Sequence, residues 1–213
     1  MDTRRDLWNS VNHALERTGL PSLPLESVLA HVGDGARVLM RKSLAAAGAG
    51  AEPGESAVDA ALRVFLAHYL EHCLGESLPY PGIREALPQL ARYRKAVLTN
   101  KPEAPARRIL EGLDLARHFD EVLGGDNPYG RKPDPAALLH LLEAWRAGPR
   151  ETAVIGDGAQ DARAARAAGA WFLGFLGGMG PRAALLREAP DAVVERMGAL
   201  PEAVAALETR GAP

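Results

Sequence analysis

Three short stretches carry residue types that could hold a phosphoryl group and a divalent cation. The first is Val97–Pro102, V-L-T-N-K-P, an apolar run that stops at Thr99-Asn100. The second is Gly130–Pro135, G-R-K-P-D-P, which presents Lys132 in a turn. The third is Val154–Asp161, V-I-G-D-G-A-Q-D, an apolar run that stops at Gly156-Asp157. Thr99 offers a hydroxyl donor, Asn100 its backbone and amide donors, and Lys132 a point positive charge. Asp157 is a hard oxygen ligand suited to magnesium, which takes one or two protein carboxylates and keeps several waters. Asp161 lies one helical turn further on, placed either to ligate the metal or to orient its waters. Phosphoryl transfer depends on neutralising and holding the charge of the phosphoryl oxygens, and this set has the groups to do so. Singly, each stretch reads as a turn or a helix cap, with Asp134 capping a helix at Pro135 and Asp157 capping the helix after it. Their order, each at or beside a strand end, points to a joint role. The set itself contains no nucleophile.

The rest of the chain must position these groups. Its 213 residues suit one domain, or one domain with an insertion, and 47% of them are hydrophobic, enough for a core. A net charge of -2 argues against nucleic-acid binding. The single cysteine, Cys73, excludes a disulfide framework, and its helical spacing from Phe65, Leu66, Tyr69 and Leu70 reads as a buried core thiol. No secretory signal and no membrane-spanning run are visible, so a cytoplasmic protein is expected.

Up to Leu78 the periodicity predicts helices only. Leu7, Val11, Ala14 and Leu15 mark one face, and Val58, Leu62, Phe65, Leu66, Tyr69 and Leu70 another, with a Gly- and Ala-rich loop over residues 45–56 between them. Leu78-Pro79-Tyr80-Pro81-Gly82 marks a boundary. Beyond it helices and short apolar strands alternate, with strands expected at Lys95–Thr99, Glu121–Gly124, Ala153–Gly156, Trp171–Phe175 and Ala192–Val194. That pattern predicts an α/β fold with a parallel, Rossmann-like sheet covered on both faces, and ligands beyond the carboxyl ends of its strands. Residues 1–78 are thus expected as a helical cap and residues 79–213 as an α/β core.

The three stretches, together with V-G-D-G-A-R-V-L (Val32–Leu39) and Y-P-G (Tyr80–Gly82), resemble the haloacid dehalogenase superfamily, and within it the phosphoglycolate phosphatase family. The resemblance implies a magnesium-dependent phosphomonoesterase of small metabolites that works through an aspartyl-phosphate. It implies that Thr99 binds the phosphoryl group, Lys132 steadies nucleophile and phosphate, Asp157 ligates magnesium and Asp161 supports it. The helical region would be a lid. Gly35 would belong to a substrate loop, and Arg37 is either the partner of a glycolate carboxylate or a solvated helix residue. Sugar-phosphate mutase or dehalogenase chemistry stays open within the superfamily.

That family opens with a strand ending in D-x-D-G-T, which supplies the nucleophile. Here Met1 and Asp2 align just after it, and Asp2, Asp6 and Asp34 do not end an apolar strand. One expectation is that the motif lies upstream of an internal start. The other is a truncated relative that binds a phosphorylated ligand or a protein without turnover. In the family the absent strand sits centrally, between Lys95–Thr99 and Ala153–Gly156. Its loss leaves ladder groups unpaired at about 1–3 kcal/mol each if buried, against total stabilities of about 5–15 kcal/mol. That cost works against normal folding, unless the sheet closes up or recruits another segment.

Overall fold

The computed structural model describes residues 1–211. Four helices come first: α1 (Arg4–Arg17), α2 (Leu25–Leu29), α3 (Ala36–Ala46) and α4 (Glu55–His72). Alternating elements follow: α5 (Ile83–Gln89), β1 (Ala96–Leu98), α6 (Glu103–Gly112), β2 (Glu121–Leu123), α7 (Ala136–Trp145), β3 (Ala153–Gly156), α8 (Ala159–Ala168), β4 (Trp171–Phe175), α9 (Arg182–Arg187), β5 (Ala192–Val194) and α10 (Leu200–Gly211). Helix α5 ends at Gln89, where the chain turns over Leu90 and Ala91 toward β1.

The first four helices bury one shared apolar cluster that includes Val11, Leu15, Met40, Leu44, Val58 and Phe65. Cys73 is fully buried in the same cluster, and that burial pushes its thiol pKa up, away from reactivity. Entry to and exit from this helical region run side by side. Asp2 and Leu78 exchange two backbone hydrogen bonds of 2.7 and 3.0 Å, and buried Asp6 accepts from Glu76 N and Ser77 Oγ.

All strand pairs are parallel, as expected for connections made through helices. The strands form two separate sheets, β1–β2 and β3–β4–β5. Among the described residues β1 and β3 do not pair with each other, so each presents an open edge. Parallel strands covered on both faces are normally buried. Leu173 on β4 is, at 0% exposure, whereas Ile155 on β3 is 39% exposed. The sheet has not closed up. Leu98 of β1 and Val154 of β3 nevertheless rest on one cluster formed by Leu138, Leu142, Ala168 and Ala170, so α7 and α8 span the interval from one face.

On the helical region, the rings of His13 and His68 stack 4.1 Å apart and those of His68 and His72 lie 4.2 Å apart. Desolvation lowers the His68 pKa, and the neighbouring charges of His13 and His72 add to this, while Glu71 opposes it. The folded chain therefore favours neutral imidazole. Below about pH 6.5 the unfolded chain binds more protons than the folded one, and stability falls as pH drops through that value. The midpoint of calorimetric unfolding is expected to fall from about pH 7.5 to about 5.5, and His68→Gln to lessen the fall. An unaltered pH dependence in that variant would show that the stack is not responsible.

Candidate active site

The carboxyl ends of β1 and β3 open into a cavity of about 600 Å³, with α1, α2, α3 and α4 contributing its other walls. Thr99, Asn100, Lys132, Asp157, Asp161 and Gly35 all line it. Three segments more than twenty residues apart therefore meet at one place, and a network of short polar contacts accounts for the meeting.

Lys132 is the centre of that network. Its Nζ donates to the carbonyl of Leu98, the last residue of β1, and pairs with Asp161 Oδ1 at 2.7 Å. Both side chains are nearly buried, at 11% and 9% exposure. The other carboxylate oxygen, Asp161 Oδ2, accepts from the Gly158 N–H at 3.0 Å and so caps α8. Both Asp161 oxygens are thus engaged by the protein. Asp161 holds Lys132 and the turn that carries Asp157.

Asp157 faces the cavity. Its Oδ2 accepts from Met179 N at 2.6 Å, while Oδ1 receives no hydrogen bond from the described residues. The Gly177-Gly178-Met179-Gly180 loop after β4 makes this possible. A Cβ on Gly178 would overlap the Asp157 carboxylate, so only glycine lets the backbone approach so closely. The G-G-M-G run was visible in the sequence as a turn signal, but it carries no charge and was not read as part of the site.

Among the described residues no group of three His, Cys, Asp or Glu side chains could encage a metal. The donor set still fits magnesium, because that ion needs only one or two carboxylates when waters and phosphate oxygens complete its shell. Asp157 Oδ1 is the oxygen free to do this.

Thr99 accepts from Lys101 N at 3.2 Å through Oγ1, which leaves its hydroxyl proton to donate into the cavity. Asn100 has a structural part as well. Its amide nitrogen donates to Gly33 O and Lys132 O, both at 2.8 Å, and so stitches the helical region to the Lys132 turn, while its Oδ1 is buried without a partner among the described residues. Gly35 has φ +92°, and a Cβ there would lie 2.7 Å from Arg131 Nη1. Arg37 does not reach the cavity. Its guanidinium pairs with Asp59 at 2.6 Å and with Glu55, on the outer side of α3.

Further groups stand near Asp157 or line the cavity. Tyr80 stands near enough to Asp157 and Asp2 that their charges add to burial in pushing its phenol pKa up, so it stays protonated. Gln160 reaches Gly33 O at 3.4 Å, a second link from the core to the helical region.

The family model for haloacid dehalogenase-like hydrolases matches residues 3–169. The chain belongs to that family of hydrolases. Its relatives sharpen the assignment to the phosphoglycolate phosphatase family. Phosphoglycolate phosphatase 1 of Pseudomonas aeruginosa is 35% identical over 200 residues, which covers 92% of this chain and 73% of the relative. The phosphoglycolate phosphatase of Rhodospirillum rubrum is 40% identical over 167 residues, or 76% of this chain and 69% of the relative. A crystal structure of a predicted phosphoglycolate phosphatase from Haemophilus somnus superposes with a TM-score of 0.88 at 29% identity, covering 94% of this chain and 91% of the other. No described helix of the hydrolase is long and apolar enough to cross a membrane.

The two acidic residues of this hydrolase are expected to separate in their effects on stability. Asp161→Ala strands a buried ammonium and uncaps α8, and is expected to cost about 3–5 kcal/mol. Asp157→Asn keeps the acceptor for Met179 and is expected to cost less than about 1 kcal/mol. Urea unfolding of the two variants measures the difference, and equal costs would contradict the division of labour.

Proposed function

We propose that this protein is a magnesium-dependent phosphomonoesterase acting on a small phosphorylated metabolite, 2-phosphoglycolate, to release glycolate and phosphate. The observation that carries the reading is the convergence of the Thr99 hydroxyl, the Lys132 ammonium and the free Asp157 oxygen on one cavity between two strand ends. In this reading residues 1–78 form the cap over the site and residues 79–213 the core. The names of the relatives support the substrate.

Each group has a defined task. Thr99 donates its hydroxyl proton to a phosphoryl oxygen. Lys132 places positive charge where negative charge accumulates, and Asp161 with Leu98 O keeps that ammonium from moving away. Asp157 is the residue that would hold magnesium, which when bound neutralises phosphoryl charge. The helical region excludes water from the bound ester. The nucleophilic carboxylate belongs, in this reading, on a strand seated in the interval between β1 and β3. Both edges there have free backbone groups, and the Lys132 ammonium stands at its end. Attack of that carboxylate on phosphorus forms an acyl phosphate and expels glycolate, and water then cleaves the acyl phosphate.

The test is phosphate release from 2-phosphoglycolate by the chain joined to an apolar strand ending in D-x-D-G-T, with magnesium varied. Release is expected to require both the strand and magnesium. Lys132→Ala and Asp157→Ala are each expected to lower turnover at least about 100-fold. Near wild-type turnover in either variant would refute the site. Tight binding of 2-phosphoglycolate with no turnover under any of these conditions would instead favour a binding module.

A further inference from the structure

We propose that Lys101 is the residue that selects the substrate, by pairing with a carboxylate carried one carbon beyond the phosphoester; this rests on the phosphatase reading above. Lys101 lies two residues past Thr99 and lines the same cavity. Its backbone N–H bonds Thr99 Oγ1, so its ammonium starts from the phosphoryl-binding turn and extends a side chain's length toward the helical region. There it donates to the hydroxyl of Tyr69 on α4, lies 3.4 Å from Thr3 Oγ1, and sits 4.5 Å from the centre of the Tyr69 ring. Tyr69 is fully buried, so the anchor is rigid.

The pairing of the other cavity cations makes Lys101 distinctive. Lys132 is neutralised by Asp161, and Arg4 by Asp2. Lys101 has no carboxylate partner among the described residues, although it is half-buried. A partly desolvated ammonium without a counter-ion is costly, and a ligand anion relieves that cost. An ammonium has three donors. Two are directed at Tyr69 and Thr3, which leaves one for a ligand. One remaining donor with a full positive charge matches a single carboxylate oxygen. It does not match a sugar, which needs several neutral donors and acceptors. Lys101 thereby takes the part that was one of the two readings of Arg37, which is held by Asp59 and Glu55 away from the cavity.

Calorimetric titration of the full chain in magnesium-containing buffer tests this, using 2-phosphoglycolate and ethyl phosphate. The two ligands share the phosphoester and the chain length, and only the first carries a carboxylate. The wild type is expected to bind 2-phosphoglycolate about 10- to 100-fold more tightly. Lys101→Met is expected to bring that ratio to about 1, and Lys101→Arg to keep most of it. If Lys101→Met loses the native circular dichroism spectrum, Lys101→Gln is read in its place. A wild-type ratio near 1, or a ratio unchanged in the neutral variant, overturns the role of Lys101 while binding of both esters leaves the phosphatase reading standing. Failure of the wild type to bind either ester overturns that reading and this one with it.

Discussion

One buried ammonium holds this site together. Among the described residues the strands form two sheets that share no ladder hydrogen bond, so side chains join their carboxyl ends. Lys132 does so by donating to the last carbonyl of β1 while pairing with Asp161 in the first turn of α8. The same carboxylate caps that helix, so the turn bearing Asp157 is set by the position of Lys132. The cation proposed to serve the chemistry is thus also a structural fastener. Breaking a buried pair on one side costs more than its mutual attraction, because the surviving charge is left without a partner. The opening between β1 and β3 can exist because α7 and α8 cover it from one face and this ion pair spans its end.

The helical region is tied to the same network. Asn100 donates from one amide to both Gly33 of that region and Lys132 of the core, so a displacement of either is felt at the other. Gly35 lets the helical region pass Arg131 without a Cβ in the way. Lys101 and Tyr69 join the two parts on another side of the cavity. These links place polar contacts between the helices and the strand ends, beside an apolar contact in which Ile109 of α6 is buried in the cluster of the helical region.

Much of this was legible in the sequence, for physical reasons that differ from part to part. The strands were readable because short apolar runs alternated with helical periods, and β3, β4 and β5 have the expected bounds. The meeting of Thr99, Lys132 and Asp157 followed from the rule that such sheets gather ligands at strand carboxyl ends. Side-chain destinations were less accessible. Asn100 and Asp161 belong to the right turns, yet the Asn100 amide nitrogen goes to two backbone carbonyls and the Asp161 carboxylate to Lys132 Nζ and Gly158 N, partners that only the folded chain brings together. Arg37 sits beside a glycine turn, but Glu55 and Asp59 approach it from the next helix in the chain, α4, and outbid the cavity. The Gly177–Gly180 loop escaped notice because its contribution is the absence of side chains. Lys101 was masked by its neighbours in T-N-K-P, and the clue to it, a missing carboxylate partner, is a property of three dimensions.

The central claim is that Thr99, Lys132 and Asp157 surround one phosphoryl position. A crystal structure of the protein grown with magnesium and orthovanadate tests it most directly. The account predicts vanadate oxygens within hydrogen-bonding distance of Thr99 Oγ1 and Lys132 Nζ, with a metal ion on Asp157 Oδ1. Vanadate bound elsewhere, with this cavity holding only water, would contradict it.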